Sequence, residues 1–237
     1  MATYILVHGA WLDRRCWDLV TPALRAAGHT AIASDLPGHG DDTTPLEGQT
    51  LDAYATRILA EVDAAAQPVI LVGHSMGGIV ISTVAERRPA KVARLVYLAA
   101  YLLKNGETIQ GTQDPDSKVG PAMRPAADWS TVALDPALMP DIFFHDAPAG
   151  LTLAAVKGSK PEATAAFGTP LALTDANWGR VPRAYIRTTL DRAVSVSLQK
   201  AMLATTACSP VLELATGHAP FFASPDQLSR QLLTLGP

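Results

Sequence analysis

Four apolar residues, Val69-Ile70-Leu71-Val72, run straight into Gly73-His74-Ser75-Met76-Gly77-Gly78, and a helical pattern follows from about Met76 until Pro89 stops it. A strand that apolar belongs inside a sheet covered on both faces, which is the usual condition of parallel strands. The turn that joins it to the helix has to be sharp. It places Ser75 in a strained backbone conformation, and glycines at 73 and 77 remove the side chains that would clash there. The Ser75 hydroxyl is then expected above the C-terminal edge of the sheet, at the positive end of the next helix. Strand, Gly-x-Ser-x-Gly and helix in this order make Ser75 a candidate nucleophile.

The same strand-helix unit recurs along the chain. Tyr4–Val7, Thr30–Ser34, Leu95–Ala99, Ala184–Thr188 and Val211–Leu214 read as further strands. Helices are expected over Trp17–Ala27, ended by Gly28, and after Thr50, which caps a face of Leu51, Tyr54, Ile58 and Val62. Two more are expected around Ser195–Leu203 and after a capping-box start at Ser224-Pro225-Asp226-Gln227. This alternation predicts an α/β fold with a mostly parallel central sheet flanked by helices. From 102 to 181 the rhythm breaks, and Pro, Gly, Trp129, Phe143, Phe144, Phe167 and Trp178 accumulate. Structureless loops of that length are rare, so residues 102–181 are read as a cap inserted into a core made of 1–101 and 182–237.

Composition limits the partners. A chain of 237 residues with 48% apolar and 17% charged residues can bury one large core. A net charge of −3 without any basic run gives no reason to bind nucleic acid or an anionic membrane surface. No apolar stretch is long enough to span a bilayer and no signal peptide is visible, so a cytoplasmic location is expected. Cys16 and Cys208 form neither a disulfide framework nor metal-ligand spacing, and read as small buried apolar side chains.

A serine nucleophile needs a base, an acid to orient it and donors for the oxyanion. In the chain order serine, acid, histidine, the base follows the last strand, where Ala215-Thr216-Gly217-His218 stands. His29 ends a helix, His39 lies in a glycine loop and His145 lies in the cap, so His218 is the candidate; His74 reads as packing or hydrogen bonding beside the turn. Asp191 follows the preceding strand, with Asp175 as rival, and a helix cap or a pair with Arg192 as its bland alternative. The oxyanion donors are expected to be the backbone N–H groups of Met76 and of Ala10, which follows the first strand through Gly9; His8 is read as bracing that loop.

The runs Ile5–Trp11, Arg25–His29, Val69–Gly78 and Gly217–Phe222 resemble the plant methylesterase and hydroxynitrile lyase branch of the α/β-hydrolases, and its bacterial esterases, including pyrethroid-ester hydrolases. The resemblance implies the α/β-hydrolase fold, and it matches Tyr185–Asp191 to the acid-bearing strand. It also implies that a homodimer is possible. Lyases of the branch carry a threonine where this chain has Gly9 and a lysine where it has Ala219, so hydrolysis is favoured.

The expectation is a carboxylesterase, acting through an acyl-enzyme on a small to medium apolar or aryl ester and needing no metal and no cofactor. The alternatives are a cofactor-free lyase and a non-catalytic ligand-binding member of the fold. The aromatic residues of the cap and of the base loop suggest an apolar pocket with few polar groups, with Trp11, Phe144 and Phe221 expected to touch the substrate.

Overall fold

In the computed structural model, which describes residues 1–236, nine strands form two sheets among the described residues. In chain order they are β1 (Thr3–Val7), β2 (Thr30–Ser34), β3 (Val69–His74), β4 (Val92–Leu98), β5 (Met123–Pro125), β6 (Thr131–Leu134), β7 (Glu162–Ala163), β8 (Arg183–Thr188) and β9 (Val211–Leu214). The helices are α1 (Thr21–Ala26), α2 (Leu51–Ala64), α3 (Gly77–Arg87), α4 (Met139–Phe143), α5 (Ala149–Gly158), α6 (Thr164–Gly168), α7 (Val196–Thr205), α8 (Pro220–Ala223) and α9 (Pro225–Thr234).

The main sheet has the order β2-β1-β3-β4-β8-β9, and every pairing in it is parallel. Burial follows position. All six residues of central β3 are buried, whereas edge strand β9 hides only Leu214 fully. The chain passes from β1 outward to β2 and then returns to the other side of β1 as β3. The order therefore reverses between β1 and β3, and in open α/β sheets ligands bind beyond the strand C-termini at such a point. The loops leaving β1 and β3 carry Ala10 and Ser75.

Helix faces match the apolar spacing. Thr50 Oγ1 accepts from Ala53 N–H at 3.2 Å, and α2 then buries Leu51, Tyr54, Ile58 and Val62 beside α3. Each large apolar side chain so buried is worth about 1.5–3 kcal/mol. The expected helix over 17–27 is shorter: a 3₁₀ turn covers Arg14–Trp17, and α1 starts at Thr21. Pro22 explains the break, since proline fits the first turn of a helix but not its interior. The expected capping box at Ser224 does not form; its side chain makes no backbone cap bond, although Pro225 does open α9.

The stretch expected to be a cap holds the second sheet, β5-β6-β7, which is antiparallel, together with α4, α5 and α6. It is fastened to the loops after β1 and β2 and to α2 by polar contacts. Trp11 Nε1 donates to Val132 O at 2.9 Å, and Lys160 Nζ donates to Gly40 O at 2.8 Å. Glu162, fully buried, accepts from Tyr54 Oη at 2.5 Å and lies 3.1 Å from His39 Nε2. Burial by itself would depress the His39 pKa, but the Glu162 carboxylate outweighs it and the net shift is upward. Among the described residues no helix is long and apolar enough to cross a membrane.

Candidate active site

Ser75 has φ +53°, a left-handed conformation that non-glycine residues rarely adopt. Its surroundings impose it. Ser75 N–H donates to Leu98 O at 3.2 Å, and Ser75 O accepts from the N–H groups of Gly78 and Tyr101, each at 3.1 Å. A Cβ at position 73 would lie 2.5 Å from Gly77 O, and one at 77 would lie 2.8 Å from Val7 O. Strain held by so many backbone contacts is characteristic of functional turns.

His218 follows β9 and Asp191 follows β8, and the two side chains meet with Nδ1 2.8 Å from Asp191 Oδ2. An ionised carboxylate only accepts, so Nδ1 carries the proton and Nε2 is left as the basic nitrogen. Asp191 is itself fixed. Oδ1 accepts from Ala193 N–H at 2.8 Å and Val194 N–H at 3.1 Å, while Oδ2 also accepts from Thr188 Oγ1 at 2.7 Å and Gln199 Nε2 at 3.3 Å. The carboxylate thus caps its own turn as well as holding the imidazole. Arg192 pairs with Asp141 instead. Asp175 lies elsewhere, exposed in a turn beside Glu86, toward the far end of α3 from Ser75.

Two further histidines brace this arrangement. His74 Nε2–H donates to His218 O at 2.8 Å, and burial followed by the neighbouring His218 holds its pKa well below the usual range. Leu36 N–H donates to His8 Nε2 at 3.0 Å, so His8 Nδ1–H donates to Gly9 O at 2.8 Å. Burial and then nearby His39 push the His8 pKa down from 6.5 to about 4, which keeps it neutral in this role. His8 therefore steadies the loop that leads to Ala10. The N–H groups of Ala10 and Met76 make no hydrogen bond among the described residues, and both residues line the same cavity as Ser75.

That cavity has a volume of about 1100 Å³. Trp11, Phe143, Phe167 and Trp129 line it, with Trp11 5.6 Å from Phe167 and 6.0 Å from Phe143 between ring centres. Polar side chains, among them Thr112, Asp114, Ser117 and Thr164, share the wall, more than the expected apolar pocket contained. Of the three aromatic residues expected at the substrate, only Trp11 lines it. Phe144 turns to Phe222, 5.9 Å away, and faces a separate groove of about 580 Å³. Phe221 is fully buried beneath the base loop, edge-on to His74 at 4.9 Å, because α8 begins at Pro220 and turns it inward. Trp178 donates to Tyr97 Oη at 3.0 Å, away from the cleft. Phe143, not Phe144, meets the candidate base, with its ring 5.5 Å from that of His218. The sequence reading missed Thr188 and Gln199; their only sequence signal was a polar residue at the end of a buried strand and another on a buried helix face.

Residues 4–231 match the alpha/beta hydrolase family. The putative chloroplastic methylesterase 11 of Arabidopsis thaliana is 32% identical over 98% of this chain, which spans 63% of that relative's length. Of the putative chloroplastic methylesterases 15 and 13 of that plant, the chain spans 56% and 55% of the length. A pyrethroid hydrolase of Sphingobium wenxiniae is 31% identical over 96% of this chain and 85% of its own length. The crystal structure of a novel pyrethroid hydrolase superposes with a TM-score of 0.87 at 27% identity, covering 99% of this chain and 96% of the other.

Proposed function

The chain belongs to the alpha/beta hydrolase family, and from this premise we propose that it is a serine carboxylesterase with Ser75 as nucleophile, His218 as general base and Asp191 as the acid that orients the base. One observation carries the reading. A serine in a strained left-handed turn shares its cavity with two unspent backbone donors, and the loops of two neighbouring strands supply a buried His–Asp pair. Ser75 Oγ attacks the ester carbonyl while His218 Nε2 takes its proton. The carbonyl oxygen gains charge facing the N–H groups of Ala10 and Met76, each worth roughly a hundred- to a thousand-fold in rate. Asp191 stabilises the imidazolium, which then protonates the departing alkoxide; water, activated by the same base, frees the acid from the acyl-enzyme. General acid–base catalysis of this kind adds about 10²- to 10⁴-fold.

A small to medium apolar or aryl ester suits the site. The cavity of about 1100 Å³ is walled by Trp11, Phe143 and Phe167, a size just above the ~300–1,000 Å³ common for small-molecule pockets. The relatives named methylesterase and pyrethroid hydrolase agree with an ester substrate. Position 9 supports hydrolysis over cyanohydrin cleavage: any Cβ there would come within 2.7 Å of Ser75 Cβ and 2.9 Å of His74 Nδ1. A threonine hydroxyl has no room beside this nucleophile.

The test is hydrolysis of a p-nitrophenyl ester series, alongside cyanide release from mandelonitrile, by the wild type and Ser75→Ala. Ester hydrolysis should fall to background in the mutant, with no enzyme-dependent cyanide release from either protein. Ester turnover that survives in Ser75→Ala contradicts the assignment.

A further inference from the structure

The loop that carries His218 leaves an edge strand and is tied down at four points. Three ties come from the main domain: the imidazole Nδ1–H donates to Asp191 Oδ2 and His74 Nε2–H to the His218 carbonyl, each at 2.8 Å, and Leu190 N–H donates to Thr216 O at 3.0 Å. The fourth comes from the cap. Gly217 N–H donates to Asp146 Oδ2 at 2.6 Å, in the segment just after α4. This segment also presses on the loop from outside. A Cβ at position 217 would lie 2.5 Å from His145 Cε1 and 2.9 Å from Asp146 Oδ1, so glycine is what allows so close an approach. Three residues earlier, Phe143 meets the His218 ring edge-on.

We propose that Asp146 is a positioning residue for His218: its carboxylate, delivered by the cap, holds the Gly217 amide and thereby fixes the loop from which the base projects. The inference rests on the reading of His218 as the base. A hydrogen bond from a backbone N–H to an ionised carboxylate is shorter and stronger than a neutral one, which suits a clamp. The clamp couples cap docking to catalysis, because a cap that lifts withdraws one of the four ties on the loop of the base. Neither Asp146 nor Gly217 is among the residues lining the cavity around Ser75, so the clamp acts on turnover more than on substrate binding.

The experiment is steady-state hydrolysis of p-nitrophenyl butyrate across the pH range by the wild type, Asp146→Ala, Asp146→Asn and Gly217→Ala, with unfolding midpoints measured on each. Asp146→Ala should lower kcat roughly ten- to a hundred-fold with KM little changed, the scale on which a small displacement of a catalytic group acts. Asp146→Asn keeps an acceptor for the Gly217 N–H and should restore most of kcat, with the pH midpoint of kcat unmoved. Gly217→Ala leaves the carboxylate in place but wedges a methyl group between loop and cap, and should lower kcat in the same way. It also carries the test should Asp146→Ala not fold. An unchanged kcat in Asp146→Ala or, if that variant does not fold, in Gly217→Ala overturns the proposal. So does an Asn variant no better than Ala, since the charge and not the hydrogen bond would then matter. Failure of the underlying assignment looks different: His218→Ala would retain turnover, or a fluorophosphonate would not label Ser75 in the wild type.

Discussion

The floor of the cleft is held by backbone and its roof by side chains. Below, Ser75 is fixed by three main-chain hydrogen bonds, and its loop lies between strands with ladder partners on both sides. Above, the cap is fastened through Trp11 to Val132, Lys160 to Gly40, and Glu162 to His39 and Tyr54. A floor of backbone tolerates little variation, and it fixes where the chemistry happens. A roof of side-chain contacts is replaceable residue by residue, and on the proposed function it governs which ester enters and how firmly the cap sits. Changes in the floor should therefore abolish turnover, whereas changes in the roof should shift stability and selectivity.

The largest contrast lies between two aspartates. Asp191→Asn should leave the fold intact and lower kcat by about 10⁴-fold, because the amide favours the wrong imidazole tautomer. Asp175→Asn, in an exposed turn, should change kcat little. The reverse outcome in a side-by-side kinetic comparison would move the acid to the cap boundary and break the division between floor and roof.

Next comes the roof's buried cluster. Glu162→Ala strands His39 and Tyr54 without their shared partner, and removing one member of a buried pair costs about 3–5 kcal/mol. Urea unfolding measures it; a loss below ~1 kcal/mol, the scale of a surface pair, would mean that this cluster does not hold the cap.

The floor and its seam with the roof should also respond to pH with opposite sign. His8 in the floor has its folded pKa lowered from 6.5 to about 4, and burial holds His74 well below its usual value too. Below 6.5 the unfolded chain binds protons that the folded chain refuses, so their contribution is full above that pH and is lost as the pH falls toward 4. His39, at the seam where Glu162 of the roof docks, has its folded pKa raised, so its contribution is full below the unfolded value and is lost as the pH rises through the raised one. Urea midpoints across the pH range should drop on both sides, and Glu162→Gln should flatten only the alkaline side. A loss confined to the acid side in the wild type would remove His39 from the account.

The smallest effect concerns selectivity. If Phe143 and Phe167 bury the acyl chain, each added methylene gains up to about 0.8 kcal/mol, close to fourfold in kcat/KM, until the cavity is full. Phe143→Ala should shift the optimum to longer p-nitrophenyl esters. A flat chain-length series in the wild type would reject an apolar acyl site.

The same division explains what could be read before the structure. The strand, glycine spacing and helix around Ser75 are local features, and chain order then carried the argument to His218 and Asp191 at the ends of the last two strands. Nothing local distinguishes Phe143 from Phe144. They are consecutive residues at the end of a single-turn helix and point in directions about 100° apart. Phe221 was misplaced for a similar reason, since a one-turn helix opened by Pro220 has too few residues to display a periodicity. The cap's sheet was also hidden, because β5 has three residues and β7 two, too short for alternation to register. The Asp146 to Gly217 contact joins residues 71 apart in sequence, and only the folded chain brings them together.

The central claim is that Ser75 becomes covalently acylated. Mixing the enzyme with p-nitrophenyl butyrate, quenching in acid within the first turnover and mapping the peptides by mass spectrometry tests this directly. The account predicts a butyryl group on the peptide that contains Ser75, appearing with a burst of p-nitrophenol and absent from Ser75→Ala. Steady hydrolysis with no adduct in His218→Ala or the wild type, or with an adduct on any other residue, would contradict it.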